Sequence, residues 1–339
     1  MAATSNSPDS FFLTRLITRL TANKFQLAFF LVLVVLFPPL VPFLKALDSI
    51  VQMRRSGNPQ YLWPDYSDLK LSLYIAVAVY LIWGSVKKPL QQAMESLILP
   101  KYVGVGRQEK AKRAAENVFK GSYYLFIVLF GYVAAKDAPF LPAALGGHGS
   151  MNAVFDDFPY QPYHTFPLVR TYLMTQLGLH LFSFTEHMMS KPKNNFMEML
   201  LHHCMTLLLI SLAYFMNYVT VSHLVLFLHD ISDLFLDWAR ATADTQLQTL
   251  TRTMSVLVVL SWVYTRLYLF PFYLMDVAYW RTKIPSEEMY GKDLLGAMLH
   301  VLLVLHIYWF ILIIKMAYRL TVDKKEVDIG ERFDSKKQD

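Results

Sequence analysis

Charge is scarce in this chain and unevenly spread. Of 339 residues only 17% are Asp, Glu, Lys or Arg, where a soluble protein carries about a quarter. Long apolar stretches alternate with short charged ones. The single cysteine, Cys204, excludes an intramolecular disulfide, a CxxC redox pair and a cysteine-rich zinc site. No Asn-x-Ser/Thr acceptor occurs, so no glycan site marks an exposed loop. Internal repeats and low-complexity segments are also missing. Gly104-Val105-Gly106 follows no strand and is not a nucleotide-binding turn.

What the chain does hold is apolar bulk: 55% hydrophobic residues, with 24 Phe and 20 Tyr. A membrane-crossing helix needs about 20 mostly apolar residues. Eight stretches approach that rule, near 25–44, 68–86, 119–136, 167–188, 198–218, 222–239, 253–277 and 296–318, the fourth and sixth being the least hydrophobic. The expected fold is an all-α polytopic transmembrane bundle of about 7–8 helices around a central lipid-binding cavity. Residues 1–67 read as an N-terminal segment with an extra anchor, 68–318 as the main transmembrane domain and 319–339 as a charged tail. The first apolar run follows Arg15, Arg19 and Lys24, outlasts a signal-peptide core and meets no small-residue cleavage site, so it is read as a retained anchor. Pro38, Pro39 and Pro42 are expected to kink or end its helix, because each lacks a backbone donor.

Basic residues set the orientation. Lys87, Lys88, Lys101, Arg107, Lys110, Lys112 and Arg113 lie between the second and third spans, and seven more cations lie from Lys315 onward. Residues 137–166 contain no Lys or Arg but hold Asp137, Asp156 and Asp157. The positive-inside rule places the basic segments in the cytosol and 137–166 in the lumen, which eight spans with cytosolic termini satisfy. The net charge of +6 is explained this way without nucleic acid. Within 137–166, the run Gly146-Gly147-His148-Gly149-Ser150 reads as a flexible linker in preference to an oxyanion turn. Lys336 and Lys337, third and fourth from the C-terminus, form a dilysine address for the endoplasmic-reticulum membrane.

The fifth and sixth spans carry the residues that membrane insertion penalises: His202, His203, His223, His229, Asp230, Asp233 and Asp237. Each Asp costs about 2.5–3.5 kcal/mol at a helix centre unless it faces protein or water. Asp230, Asp233 and Asp237 share one helix face, and His229 lies one turn before Asp233. Glu198 sits one turn before His202, and Thr206 one turn after the pair. The two spans run oppositely, so the clusters are expected to meet in the cytosolic half, with Asp230 and Asp233 partnering the histidines. A neutral imidazole serves as general base or as a nucleophile forming an acyl-imidazole, and a carboxylate orients it. His180 and His187, seven apart on the fourth span, either line the same cavity or join helices.

These residues form a longer pattern. His202-His203-Cys204-Met205-Thr206, then Ser211, Tyr214 and Asn217, then His229-Asp230-Ile231-Ser232-Asp233 resembles, without a gap, the Lag1 motif of ceramide synthases, a family built on the TLC domain. Lys193-Asn194-Asn195-Phe196-Met197-Glu198-Met199 resembles the family's approach to the His pair. Thr265-Arg266-Leu267 with Phe270-Pro271-Phe272, and Leu305-His306-Ile307-Tyr308-Trp309-Phe310, resemble its last two helices. Pro64-Asp65-Tyr66-Ser67-Asp68 looks closest to plant-type members, and no homeobox-like insert follows the second span. The resemblance spans roughly residues 60–320. Thr220 and Ser222 depart from it, standing where the family often has Arg and Gly.

The resemblance implies acyl transfer from acyl-CoA to the amine of a sphingoid base, without a metal or other cofactor. His202, His203, Asp230 and Asp233 would carry it, supported by His229, Glu198, Thr206, Ser211, Tyr214, Asn217, Asp237, Arg266 and His180. Partners would be acyl-CoA, the sphingoid base and membrane lipids, with room for a homodimer or an accessory subunit. The segment 87–113 would attract CoA phosphates or anionic headgroups. One rival is a metal-dependent lipid enzyme, though the chain has a single His doublet and no HxxxH box. Another is a lipid-sensing or translocon-associated relative, or a transporter with a proton relay.

Overall fold

The computed structural model describes residues 24–55, 66–156, 158, 167–190, 196–281 and 289–321. The dilysine Lys336/Lys337, the Lys193–Asn195 lead-in, Pro64-Asp65 and the basic residues Arg15 and Arg19 lie outside the described residues.

Eight long helices make up the fold: α1 Lys24–Arg55, α2 Leu69–Leu97, α3 Gly104–Ala135, α4 Pro167–Met189, α5 Phe196–Phe215, α6 Val219–Thr242, α7 Gln248–Trp280 and α8 Lys292–Thr321. Among the described residues β pairing is limited to two isolated bridges. Seven of the helices are long and apolar enough to cross a membrane, and α4 is the exception. The protein is an all-α polytopic membrane protein.

The structure decides two points about α1–α3. Helix α1 does not end at its prolines but continues through Pro38, Pro39 and Pro42 to Arg55; membrane helices tolerate proline where local adjustment satisfies the freed carbonyls. The basic stretch 87–113 is mostly helical. It forms the helical ends of α2 and α3, which extend beyond their apolar cores and leave only 98–103 between them. Two of its cations are structural: Lys110 is buried against Asp244 at 3.3 Å, and Arg107 donates to the carbonyl of Glu95 at 2.7 Å.

Helix α6 occupies the centre. In its most apolar stretch 61% of residues are buried, against 6–33% in the other six candidate spans. It packs on α3, α4, α5 and α7, while α8 closes the circuit between α7 and α5. The result is a ring of α4, α5, α8, α7 and α6, with α2 and α3 outside one arc and α1 outside α8. This explains the weak hydropathy of the fourth and sixth spans: both face protein, so neither needs an all-apolar surface. Much of α1 and α2, including Phe37, Leu44, Leu73, Val77 and Leu81, is exposed apolar surface suited to lipid.

From Trp262 to Trp280 helix α7 is π-helical. Bonds from i to i+5 widen each turn, so its buried face steps through Trp262, Arg266, Phe270, Leu274 and Ala278. The 137–156 segment is an ordered cap rather than a flexible linker. Gly147, Gly149 and Ser150 donate their N–H groups to Pro142, Leu141 and Pro139 carbonyls at 3.1, 2.8 and 2.8 Å. A Cβ at Gly149 would lie 1.9 Å from the Pro139 oxygen. Those donors are committed to backbone, which removes the oxyanion-turn reading too.

Candidate active site

Inside the ring lies a cavity enclosing about 910 Å³ of atom-free space, its open mouth included. Helical periodicity selects its walls. Helix α5 contributes His202, Thr206, Leu209, Ile210 and Ala213; α6 contributes Val221, Ser222, Val225, Leu226, His229, Asp230 and Asp233. Each set recurs at three- and four-residue steps, which is one face of a helix. His180 from α4 and Tyr124 from α3 join the end where the histidines lie, and Leu295, Leu299 and Leu302 of α8 face them. The polar groups gather at the basic end of the bundle, and the middle is apolar.

Adjacent residues on a helix point about 100° apart, and the His doublet divides accordingly. His202 lines the cavity, with its ring edge-on to Trp309 at 5.1 Å. His203 is buried away from it, its ring 5.3 Å from that of His187. His187 itself stacks on Phe196 at 4.4 Å, outside the cavity lining. Both His202 and His203 have an Nδ1 buried without a hydrogen-bond partner among the described residues.

The carboxylates have partners other than those expected. Asp230 accepts from Tyr172 at 2.6 Å and from the Gln176 amide, both on α4. Tyr172 reaches it because Gly131 of α3 leaves room for the ring: a Cβ there would lie 2.8 Å from Tyr172 Cε2. Asp233 is bound by Arg266 at 2.6 Å. That guanidinium also donates to Ser232 Oγ at 2.6 Å and to the His229 carbonyl at 3.0 Å, and lies 4.1 Å over the Trp262 ring. His229 does not reach Asp233. Its Nδ1 donates to the Val225 carbonyl at 2.5 Å, and its Nε2 meets His306 Nε2 at 2.7 Å. Asp237, one turn beyond, pairs with Arg240 at 3.8 Å. The expected His–Asp pairing across α5 and α6 is therefore replaced by bonds from α4 and α7, whose side chains fill the interior between the two helices. Among the described residues Glu198 makes no hydrogen bond to His202.

The remaining motif residues separate by depth. Thr206 lines the cavity. Ser211 is half-buried and outside the lining. Tyr214 binds Asp68, which Arg170 also holds, far from the histidines at the other end of α5. Asn217 adopts φ 62°, the left-handed turn that reverses α5 into α6. These two residues build the hairpin rather than the polar end. Residues without an expected role also converge there: Tyr172, Gln176, Tyr124, Trp262 and His306. Tyr172, Gln176 and His180 stand at i, i+4 and i+8, and that polar stripe in a weak span was their signal in the sequence.

Residues 113–315 match the TLC domain. The chain belongs to the TLC-domain family. It is 26% identical over 240 residues to ceramide synthase hyl-1 of Caenorhabditis elegans, covering 67% of this chain and 62% of that protein. It is 29% identical over 244 residues to ASC1-like protein 3 of Oryza sativa subsp. japonica, covering 69% and 81%. It is 26% identical over 250 residues to ceramide synthase 1 LOH3 of Arabidopsis thaliana, covering 69% and 77%. The match takes in most of α3, all of α4–α7 and α8 as far as Lys315, so every residue lining the cavity, from Tyr124 to Leu302, lies within it. Among the described residues of this TLC-domain protein, no three His, Cys, Asp or Glu side chains are grouped so as to hold a metal ion.

Proposed function

We propose that this TLC-domain protein is a ceramide synthase of the endoplasmic-reticulum membrane, transferring a fatty acyl group from acyl-CoA to the amine of a sphingoid base. The observation that carries this reading is His202, standing among the polar groups at one end of a cavity whose middle is apolar. The similarity to proteins named ceramide synthase supports ceramide formation as the outcome. The basic ends of α2 and α3 lie at the same end of the bundle as His202, which suits a donor that is anionic and cytosolic.

In the reaction, the amine nitrogen attacks the thioester carbonyl; a C–N bond forms, the C–S bond breaks, and the amine proton ends on the departing thiolate. His202 acts at the carbonyl. As general base it takes the amine proton and returns it to the sulfur. As nucleophile it first forms an acyl-imidazole, releasing the thiol, before the amine displaces it. His203 and His180 shape the approach. Arg266, Asp233, Asp230 and Tyr172 hold α6 in register, and Asp233 offers a carboxylate to the incoming ammonium. Apolar side chains of α5, α6 and α8 take the acyl chain, as apolar pockets with a few placed polar groups do.

The test is purified protein in vesicles with palmitoyl-CoA and sphinganine, ceramide being measured by mass spectrometry. His202→Ala is expected to lower turnover by at least about 10²-fold, the lower range for loss of a general base. His203→Ala is expected to cost less. Unchanged turnover in His202→Ala would reject the assignment. Intact mass after acyl-CoA alone separates the two routes: one added acyl group identifies the covalent one, and no adduct with normal turnover identifies the general base.

A further inference from the structure

Acyl transfer moves charge onto the carbonyl oxygen of the donor. When His202 or the amine bonds the carbonyl carbon, the C=O π pair passes to oxygen. When that pair returns, the C–S bond breaks and the sulfur leaves with its electrons. Between the two steps an oxyanion stands in a site of low dielectric, where losing one donor costs about 10²–10³-fold in rate.

Most polar groups around the cavity are already spent. Asp230 and Asp233 are acceptors on the α6 wall, suited to the ammonium and not to a second anion. Tyr172, Gln176 and Arg266 donate to those carboxylates. His229 is engaged with Val225 and His306. Beside His202, the groups with a donor left at this end are Tyr124, His180 and Thr206.

Two observations set Thr206 apart. It follows His202 by one turn on the same face of α5, where neighbouring Cβ atoms lie about 5–6 Å apart. Helical side chains lean towards the N-terminus, so Thr206 leans towards His202. The buried Nδ1 of His202 leaves Nε2 as the nitrogen open to the cavity, and a carbonyl met there lies beside Thr206. The hydroxyl itself is the second observation. Other threonines return theirs to the carbonyl four residues back: Thr175 to Thr171 at 2.8 Å, Thr185 to Leu181 at 2.9 Å and Thr265 to Ser261 at 2.9 Å. Among the described residues the Thr206 hydroxyl makes no hydrogen bond, in a wall it shares with Leu209 and Ile210.

We propose that Thr206 is a catalytic residue whose hydroxyl donates to the acyl oxygen as it becomes an oxyanion. It does so from the α5 wall, leaving the α6 carboxylates to the amine. This rests on the acyl-CoA-dependent reading above.

Turnover and binding test it together. Thr206→Val keeps the shape and loses the donor; it is expected to lower kcat by about 10²-fold. KM for palmitoyl-CoA should stay within about twofold, since the bond is made only in the transition state. Thr206→Ser, which keeps the donor, is expected to retain most of the activity. Equal losses in the two variants, or a raised KM with kcat kept, would overturn the role. Binding uses two unreactive analogues of palmitoyl-CoA: an α,α-difluoroketone, which becomes tetrahedral by adding water or imidazole, and a thioether without the oxygen. The parent protein is expected to prefer the difluoroketone, and Thr206→Val to weaken that analogue alone by about tenfold or more. Equal weakening of both analogues, or no preference in the parent protein, would overturn the oxyanion role while ceramide formation kept the enzyme reading. A preference lost in Thr206→Val, with no ceramide made by the parent protein, would reject the ceramide-synthase reading and retain the oxyanion donor.

Discussion

His229 and His306 meet across α6 and α8 with their Nε2 atoms 2.7 Å apart. The tautomers follow from the neighbours. The Val225 carbonyl can only accept, so His229 carries its proton on Nδ1 and its Nε2 is an acceptor. With both rings neutral, the bond between them then needs His306 to donate from Nε2. Removing one ring strands the other: His306→Leu is expected to destabilise the protein by about 1–3 kcal/mol, the cost of an unpaired buried polar group. The double variant His229→Leu/His306→Leu should recover part of that loss. Unfolding in mixed micelles measures both, and an unchanged midpoint in His306→Leu would sink the pairing.

The Arg266–Asp233 pair is expected to show the larger asymmetry. Arg266→Met leaves a carboxylate half-buried among apolar groups and should cost about 3–5 kcal/mol. Asp233→Leu added to it should restore stability, because the uncompensated charge is gone. Activity need not follow, since Asp233 faces the cavity. A double-mutant cycle that proves additive would show that the two residues do not interact.

Thr220 gives the third prediction. Its hydroxyl donates to the Val154 carbonyl at 2.6 Å and seats the cap on α6. Thr220→Val is expected to accelerate amide exchange across 143–155, with ceramide formation kept within about twofold, since substitutions away from reacting groups usually change little. Exchange unchanged from the parent protein would mean that the cap is held by its other contacts.

A strong chelator is expected to leave turnover unaltered. The donors nearest the cavity are already engaged: His229 with His306, Asp233 with Arg266, and Asp230 with Tyr172 and Gln176. A metal would have to displace several of these bonds to gain ligands. Loss of activity on chelation, restored by adding zinc, would contradict this.

Hydropathy alone determined that this is a multi-pass helical protein, because twenty apolar residues have one favourable environment and the backbone must then satisfy itself. The same arithmetic marked α6, since Asp230, Asp233 and Asp237 could not face lipid. It also marked His202, His203 and His180. Partnership was not legible. Helical spacing states which side chains share a face, and so suggested His229 with Asp233 and the His doublet with both carboxylates. Only the ring of helices decided that Tyr172 and Gln176 of α4 reach Asp230, that the π-helical part of α7 brings Arg266 to Asp233, and that α8 supplies His306. Packing likewise divided the doublet, turning His202 into the cavity and His203 away. A sequence fixes what must be hidden from lipid; which hidden group touches which depends on helix positions that no single span contains.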